Sequence, residues 1–147
     1  MTLKERIQED MKAALRGGER ERLATVRLIL AAIKQREVDE RISLDDAQVL
    51  AVIEKMVKQR RESIASFQSG GRADLVAKEQ AELNLLHTYL PEPLDDAAID
   101  ALIGTAIAES GATSVKDMGK VMALIKSRAA GRVDMSALGT RVRSRLT

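Results

Sequence analysis

A chain of 147 residues with 45% apolar and 31% charged side chains can bury a core and is too apolar to be a disordered tail. It contains no cysteine, which excludes disulfides, thiol nucleophiles and thiolate metal sites. Its formal net charge is only +2, so any surface for a polyanion must come from where the charges sit and not from their total.

Phe67 and Tyr89 are the only aromatic residues, whereas Ala, Leu, Glu, Lys and Arg are abundant. That balance favours helices over sheets and predicts an all-α fold with an aliphatic core padded by methionine. The charged opening Met1-Thr2-Leu3-Lys4-Glu5-Arg6 lacks an apolar signal region, and the longest apolar run, 28–33, is far short of the ~20 residues of a membrane span. A soluble, cytoplasmic protein without a membrane partner is expected.

Thr2-Leu3-Lys4-Glu5 has capping-box spacing and opens the first helix. Leu3, Ile7, Met11 and Leu15 give it a stripe, and Gly17-Gly18 ends it. The second helix spans about 19–39, with Leu23, Val26, Leu30 and Ile33 on one face. Ser43-Leu44-Asp45-Asp46 opens the third, carried by Leu44, Ala47, Leu50, Ile53, Val57, Ile64 and Phe67 and closed by Gly70-Gly71. The fourth, 73–90, places Leu75, Leu83, Leu86 and Leu90 at helical intervals. Pro91-Glu92-Pro93 then stops propagation, because proline lacks an amide hydrogen and restricts the residue before it. This break divides the chain into an N-terminal part, 1–90, and a smaller part, 91–147. In the second part Asp95 caps a helix over 96–109 with Gly111 behind it, and Ser114 caps another over 115–129 with Asp117 at the capping-box position. Asp134 caps the last, 135–146, whose stripe is Met135, Leu138, Val142 and Leu146.

From residue 110 onward there are eight Lys/Arg against Asp117 and Asp134, a local charge of +6. The C-terminal tip is the basic part of the sequence. Lone His87 has no second His or Cys to build a zinc site with and reads as a surface or structural residue. The pairs Asp45-Asp46 and Asp95-Asp96 fall where helices begin, and capping accounts for them without a metal. Neither a phosphate loop nor a nucleophile elbow is present, so no catalytic residue, cofactor or metal ligand is assigned.

Asp117-Met118-Gly119-Lys120-Val121-Met122 puts a glycine inside a predicted helix, where it costs about 1 kcal/mol relative to alanine. Close packing of another helix is the first explanation; close approach of a phosphate or ribose, with Lys120 supplying charge, is the second. Gly131-Arg132-Val133-Asp134 forms a corner in which Gly131 is a left-handed cap and Arg132 lies outside. Arg141, Arg143 and Arg145 follow; alternating positions do not share one helix face.

Arg27-Leu28-Ile29-Leu30-Ala31-Ala32-Ile33-Lys34, Tyr89-Leu90-Pro91, Asp117-Met118-Gly119-Lys120-Val121-Met122 and Gly131-Arg132-Val133-Asp134 together resemble the YqeY family over essentially the whole chain. The last two motifs also resemble the tail of the B subunit of the glutamine-dependent aspartyl/glutamyl-tRNA amidotransferase (GatB). The resemblance implies four N-terminal helices followed by a three-helix GatB/YqeY-tail-like part that holds tRNA without doing chemistry. It also brings the family label of carbon–nitrogen ligase with glutamine as amido-N-donor, which belongs to catalytic centres outside the matched region. The stretch 123–130 carries less lysine than amidotransferase tails and no proline.

Three functions are compatible with these features. The first is a non-catalytic accessory protein for tRNA or another structured RNA, contacting it through Gly119, Lys120, Arg132, Arg141 and Arg143. The second is a module docking on the amidotransferase or translation machinery, supported by the adaptable pair Met118 and Met122. The third is the ligase itself.

Overall fold

The structure, a computed structural model, describes residues 1–147. Every regular element is helical: seven α-helices and one 3-10 turn. None of these helices is long and apolar enough to cross a membrane. The chain divides into two compact units, Met1–Leu90 and Pro91–Thr147.

The first unit contains α1 (Leu3–Arg16), α2 (Arg20–Glu40), α3 (Asp46–Ser69) and α4 (Ala73–His87). Helix α1 opens with the expected capping box: Thr2 Oγ1 accepts from the Glu5 amide and Glu5 reaches back to the Thr2 amide. Its stripe differs from the reading by fours. Ile7 and Ala14 are buried, whereas Leu15 is 57% exposed. A step of four residues overshoots the 3.6-residue turn by about 40°, so after two or three steps a strict fourfold repeat has rotated off the core face.

Glu37 ties three elements together. Its carboxylate takes Lys4 Nζ at 2.8 Å from α1 and the Leu44 amide at 2.9 Å from the loop before α3. The Lys4 contact first, then the Leu44 amide, hold this carboxyl below the usual carboxylate range. The tie is therefore complete at neutral pH and weakens as pH falls through that lowered value.

Both acids of the third predicted start accept backbone amides. Asp45 caps α3 through Gln48 in a reciprocal capping box, and Asp46 Oδ1 accepts the Leu3 amide of α1 at 2.9 Å. One acidic pair thus serves the N-termini of two helices.

Helix α4 stops at His87, three residues before the predicted end. Thr88, Tyr89 and Leu90 turn instead, with their amides bonded to Leu85, Leu86 and His87 carbonyls. The turn swings the Tyr89 ring inward, where it is 4% exposed; its hydroxyl donates to Asp10 at 2.6 Å and the Arg6 guanidinium lies 5.0 Å from its centroid. Burial of this one large side chain against α1 takes precedence over continued helix. His87 is exposed, and its pKa is lowered first by partial burial and then by Arg61.

The core of this unit is aliphatic, built on Ile7, Val26, Ile29, Ile33, Val49, Ile53 and Leu86, with Met56 among them.

The second unit contains α5 (Asp96–Ser110), a 3-10 turn (Val115–Asp117), α6 (Met118–Ala129) and α7 (Met135–Leu146). Asp95 and Asp134 cap α5 and α7 as expected. Gly111 and Gly131 have φ of 70° and 78°, the left-handed conformation that ends a helix at little cost only for glycine. The single helix expected over 115–129 is split. Ser114 accepts from Lys116 to start the 3-10 turn, Asp117 accepts the Thr113 amide at 3.0 Å, and the α-helix begins only at Met118. Ile103, Val121, Ile125, Leu138 and Val142 are buried at the centre of this unit.

Candidate nucleic-acid interface

The basic tip of the sequence is less basic once folded. Within Pro91–Thr147 eight Lys/Arg accompany seven Asp/Glu, and α5 brings three acids to bear on the arginines. Arg141 sits between Asp96 (3.2 Å) and Asp100 (2.5 Å), and these carboxylates raise its pKa, Asp100 foremost. Arg128 is paired with Glu109. Arg145, one turn beyond Arg141, lies on the same side of α7 and donates to the Asp100 carbonyl at 3.4 Å.

Of the five expected contacts, two are committed within the protein. Arg141 belongs to the pairs just described. Arg132 Nε donates to the Glu92 carbonyl at 2.9 Å, while the Leu94 amide donates to the Arg132 carbonyl at 3.0 Å. The corner at Arg132 therefore fastens the proline segment to its own unit. Arg143 lies nearly half a turn from both Arg141 and Arg145, is exposed, and carries no ion pair.

Gly119 and Lys120 are exposed in the first turn of α6. A Cβ built on Gly119 would meet no atom within 4 Å, which removes the helix-packing explanation for this glycine. Close helix contacts occur at two other glycines: a Cβ on Gly104 would lie 3.3 Å from Arg145 Nη2, and one on Gly139 would lie 3.6 Å from Met118 Cε. What remains at Gly119 is open backbone with a cation beside it.

Lys116, four residues before Lys120, is also exposed and unpaired. A continuous helix over 115–129 makes Lys116 one charge among many in the sequence, and its spacing from Lys120 is the signal that points to it. Asp117 lies between them, and its carboxyl is held below the usual range first by the Thr113 amide and, less strongly, by the field of Lys120. Lys116, Lys120 and Arg143, with Lys126 further along α6, are exposed cations of this unit without an ion pair, free to meet a phosphate. The arrangement offers charge and open backbone without an aromatic stacking surface, which suits recognition of a folded sugar-phosphate backbone.

Met118 and Met122 are half-buried against the aliphatic core of their own unit, where they act as packing residues. No cluster of His, Asp or Glu in the structure has the grouping of a metal site.

A substitution separates the readings of Gly119. Gly119→Ala should leave the melting temperature unchanged or slightly higher, since its φ is not in the left-handed range and the site is open. It should weaken RNA binding by several-fold if a backbone phosphate rests there. A loss of stability of more than about 1 kcal/mol in thermal unfolding would restore the packing explanation.

A sequence profile of a family described as Yqey-like protein matches residues 4–146. Among curated relatives, "Altered inheritance of mitochondria protein 41, mitochondrial" of Pyrenophora tritici-repentis is 36% identical over 129 residues, covering 84% of this chain and 71% of that protein. The proteins of the same name from Eremothecium gossypii and Vanderwaltozyma polyspora are 40% and 27% identical, over 57% and 76% of this chain. The alignments to those two span 46% and 64% of the relatives' own lengths.

Proposed function

We propose that this chain, which belongs to the family of Yqey-like proteins, is a non-catalytic accessory protein that holds structured RNA, tRNA first among candidates, by its backbone. The reading takes Met1–Leu90 as a four-helix N-terminal part and Pro91–Thr147 as a three-helix part like the amidotransferase tail, with the RNA surface on the latter. The observation that supports it most is the exposed start of α6, where Lys116 and Lys120 flank the open backbone of Gly119 and neither lysine is spent on an ion pair. Lys120, Gly119 and Arg143 stay in the contact set, Lys116 joins it, and Arg132 and Arg141 act by holding the unit's own chain. The expected compartment is a reducing one. The absence of cysteine fits the cytoplasm and the interior of a mitochondrion alike, and the relatives' printed names favour the second for them.

The test is fluorescence anisotropy of labelled tRNA at about 50 and 200 mM salt. For about three phosphate contacts, affinity should fall by roughly fortyfold between these conditions. A Lys116→Glu/Lys120→Glu/Arg143→Glu variant should bind at least tenfold more weakly at low salt and lose most of the salt dependence. Arg141→Gln, a control at a paired arginine, should change affinity far less. Equal binding by wild type and the triple variant would remove this surface from the reading. Glutamine or ATP turnover by the isolated chain at enzyme-like rates would favour the ligase instead.

A further inference from the structure

Helix α2 has a second face that its own unit does not use. Val26, Ile29 and Ile33 point into the core. On the opposite side Ala24, Leu28, Ala31, Gln35 and Val38 are exposed, and Ile42 follows just past the helix end. The five helical positions are spaced alternately by four and three residues, the period of a coiled-coil seam. Leu28, Val38 and Ile42 are 45%, 59% and 40% exposed, so the stripe is apolar and open. The two alanines would let another helix approach closely.

One flank of the stripe carries Arg20, Arg27 and Lys34, seven residues and thus about 10.5 Å apart along the axis. All three are exposed and none forms an ion pair; Lys34 only feels the Glu37 carboxylate through space. The other flank has Glu21 and Asp39, the latter accepting from Gln35 Nε2 at 3.0 Å.

The geometry points to the outer face of α2 as a docking surface for an acidic amphipathic helix of another protein, whose apolar seam covers Leu28 and Val38 and whose carboxylates meet Arg20, Arg27 and Lys34. Charge complementarity selects this occupant. A second copy of the chain fits less well: in an antiparallel pair like flanks face one another, placing Arg27 and Lys34 against the same cations. A parallel pair matches only Lys34 with Asp39. RNA would use the cations but gain nothing from a row of aliphatic side chains. The surface is independent of the RNA site in the other unit.

The probe is a synthetic helical peptide of three heptads with leucine seams and glutamate flanks, beside the same peptide with lysine flanks, titrated by anisotropy against the full chain. The glutamate-flanked peptide should bind at micromolar concentration and the lysine-flanked one at least tenfold more weakly. Leu28→Glu/Val38→Glu should lose at least tenfold in affinity for the first peptide. Arg27→Glu/Lys34→Glu should reverse the preference between the two. Both pairs of substitutions are at exposed positions, so circular dichroism melts should match wild type and tRNA titrations should be unchanged. Equal binding of the glutamate-flanked peptide to wild type and to Leu28→Glu/Val38→Glu overturns the proposal. So does a wild-type dimer in sedimentation equilibrium that this variant dissolves, which would assign the face to a second copy. Loss of tRNA affinity in Arg27→Glu/Lys34→Glu would assign it to nucleic acid.

Discussion

Tyr89→Ala should destabilise the N-terminal unit by about 3–5 kcal/mol, the range for truncating a fully packed aromatic ring. The ring is 4% exposed and sits where α4 gives way to the turn before Pro91, so its removal leaves both a cavity and a loosely held turn. Chemical denaturation of the variant, compared with wild type, measures this directly. Tyr89→Phe keeps the ring and removes only the hydroxyl that donates to Asp10 at 2.6 Å, and should cost about 1 kcal/mol. The two variants together divide the contribution into packing and hydrogen bonding.

The same residue has a predictable pH signature. Burial first, and then the Asp10 hydrogen bond and charge, push the Tyr89 hydroxyl above its ordinary value of 10.0. The folded state therefore prefers the neutral phenol. Its contribution is complete below pH ~10 and is lost as pH rises toward the raised value, because the unfolded chain ionises first. Wild type should lose stability relative to Tyr89→Phe as pH rises from about 10 to 12. A difference between the two proteins that stays constant over that range would contradict the buried, hydrogen-bonded phenol.

Ile125→Ala should cost about 2–5 kcal/mol in the second unit. Ile125 is 0% exposed at the centre of a core whose other large members are Ile103, Val121, Leu138 and Val142. A unit of this size buries few side chains, so each truncated one is a large share of what holds it together. Hydrogen exchange should report it: amides of α5, α6 and α7 should lose protection by roughly one and a half to four orders of magnitude, the equivalent of about 2–5 kcal/mol. tRNA affinity should fall with them, since Lys116, Lys120 and Arg143 are positioned by the helices that Ile125 joins. Protection retained in α6 would mean that the core of this unit lies elsewhere.

Much of the fold was legible locally. The capping box at Thr2, the caps at Asp45, Asp95 and Asp134 and the left-handed glycines at 111 and 131 are governed by atoms within a few residues, and the structure has each of them. The misread ends have local exceptions with distant causes. Helix α4 stops early because Tyr89 turns inward to reach Asp10, 79 residues away in sequence. The exposed Leu15 shows how a stripe counted by fours drifts off a face that turns every 3.6 residues.

The candidate site was less legible. Arginines at 132 and 141 looked free because Arg141 has no acid near it in sequence and the acid beside Arg132, Asp134, caps α7. Their acceptors, the Glu92 carbonyl and the Asp96 and Asp100 carboxylates, are 40 to 45 residues distant. The first explanation for Gly119, close helix packing, fails because no neighbour approaches it, which only the packed structure could show.

The sequence by itself determined that this protein is helical, aliphatic in its core, free of thiol chemistry and of the YqeY type, because propensity, capping and composition act over short range. Tertiary structure alone decided which cations remain available and which apolar faces stay uncovered. Coulomb pairing and burial depend on what lies within a few ångströms in space, and the chain brings those groups together only when α5 meets α7 and when α2 turns one side of itself away from its core.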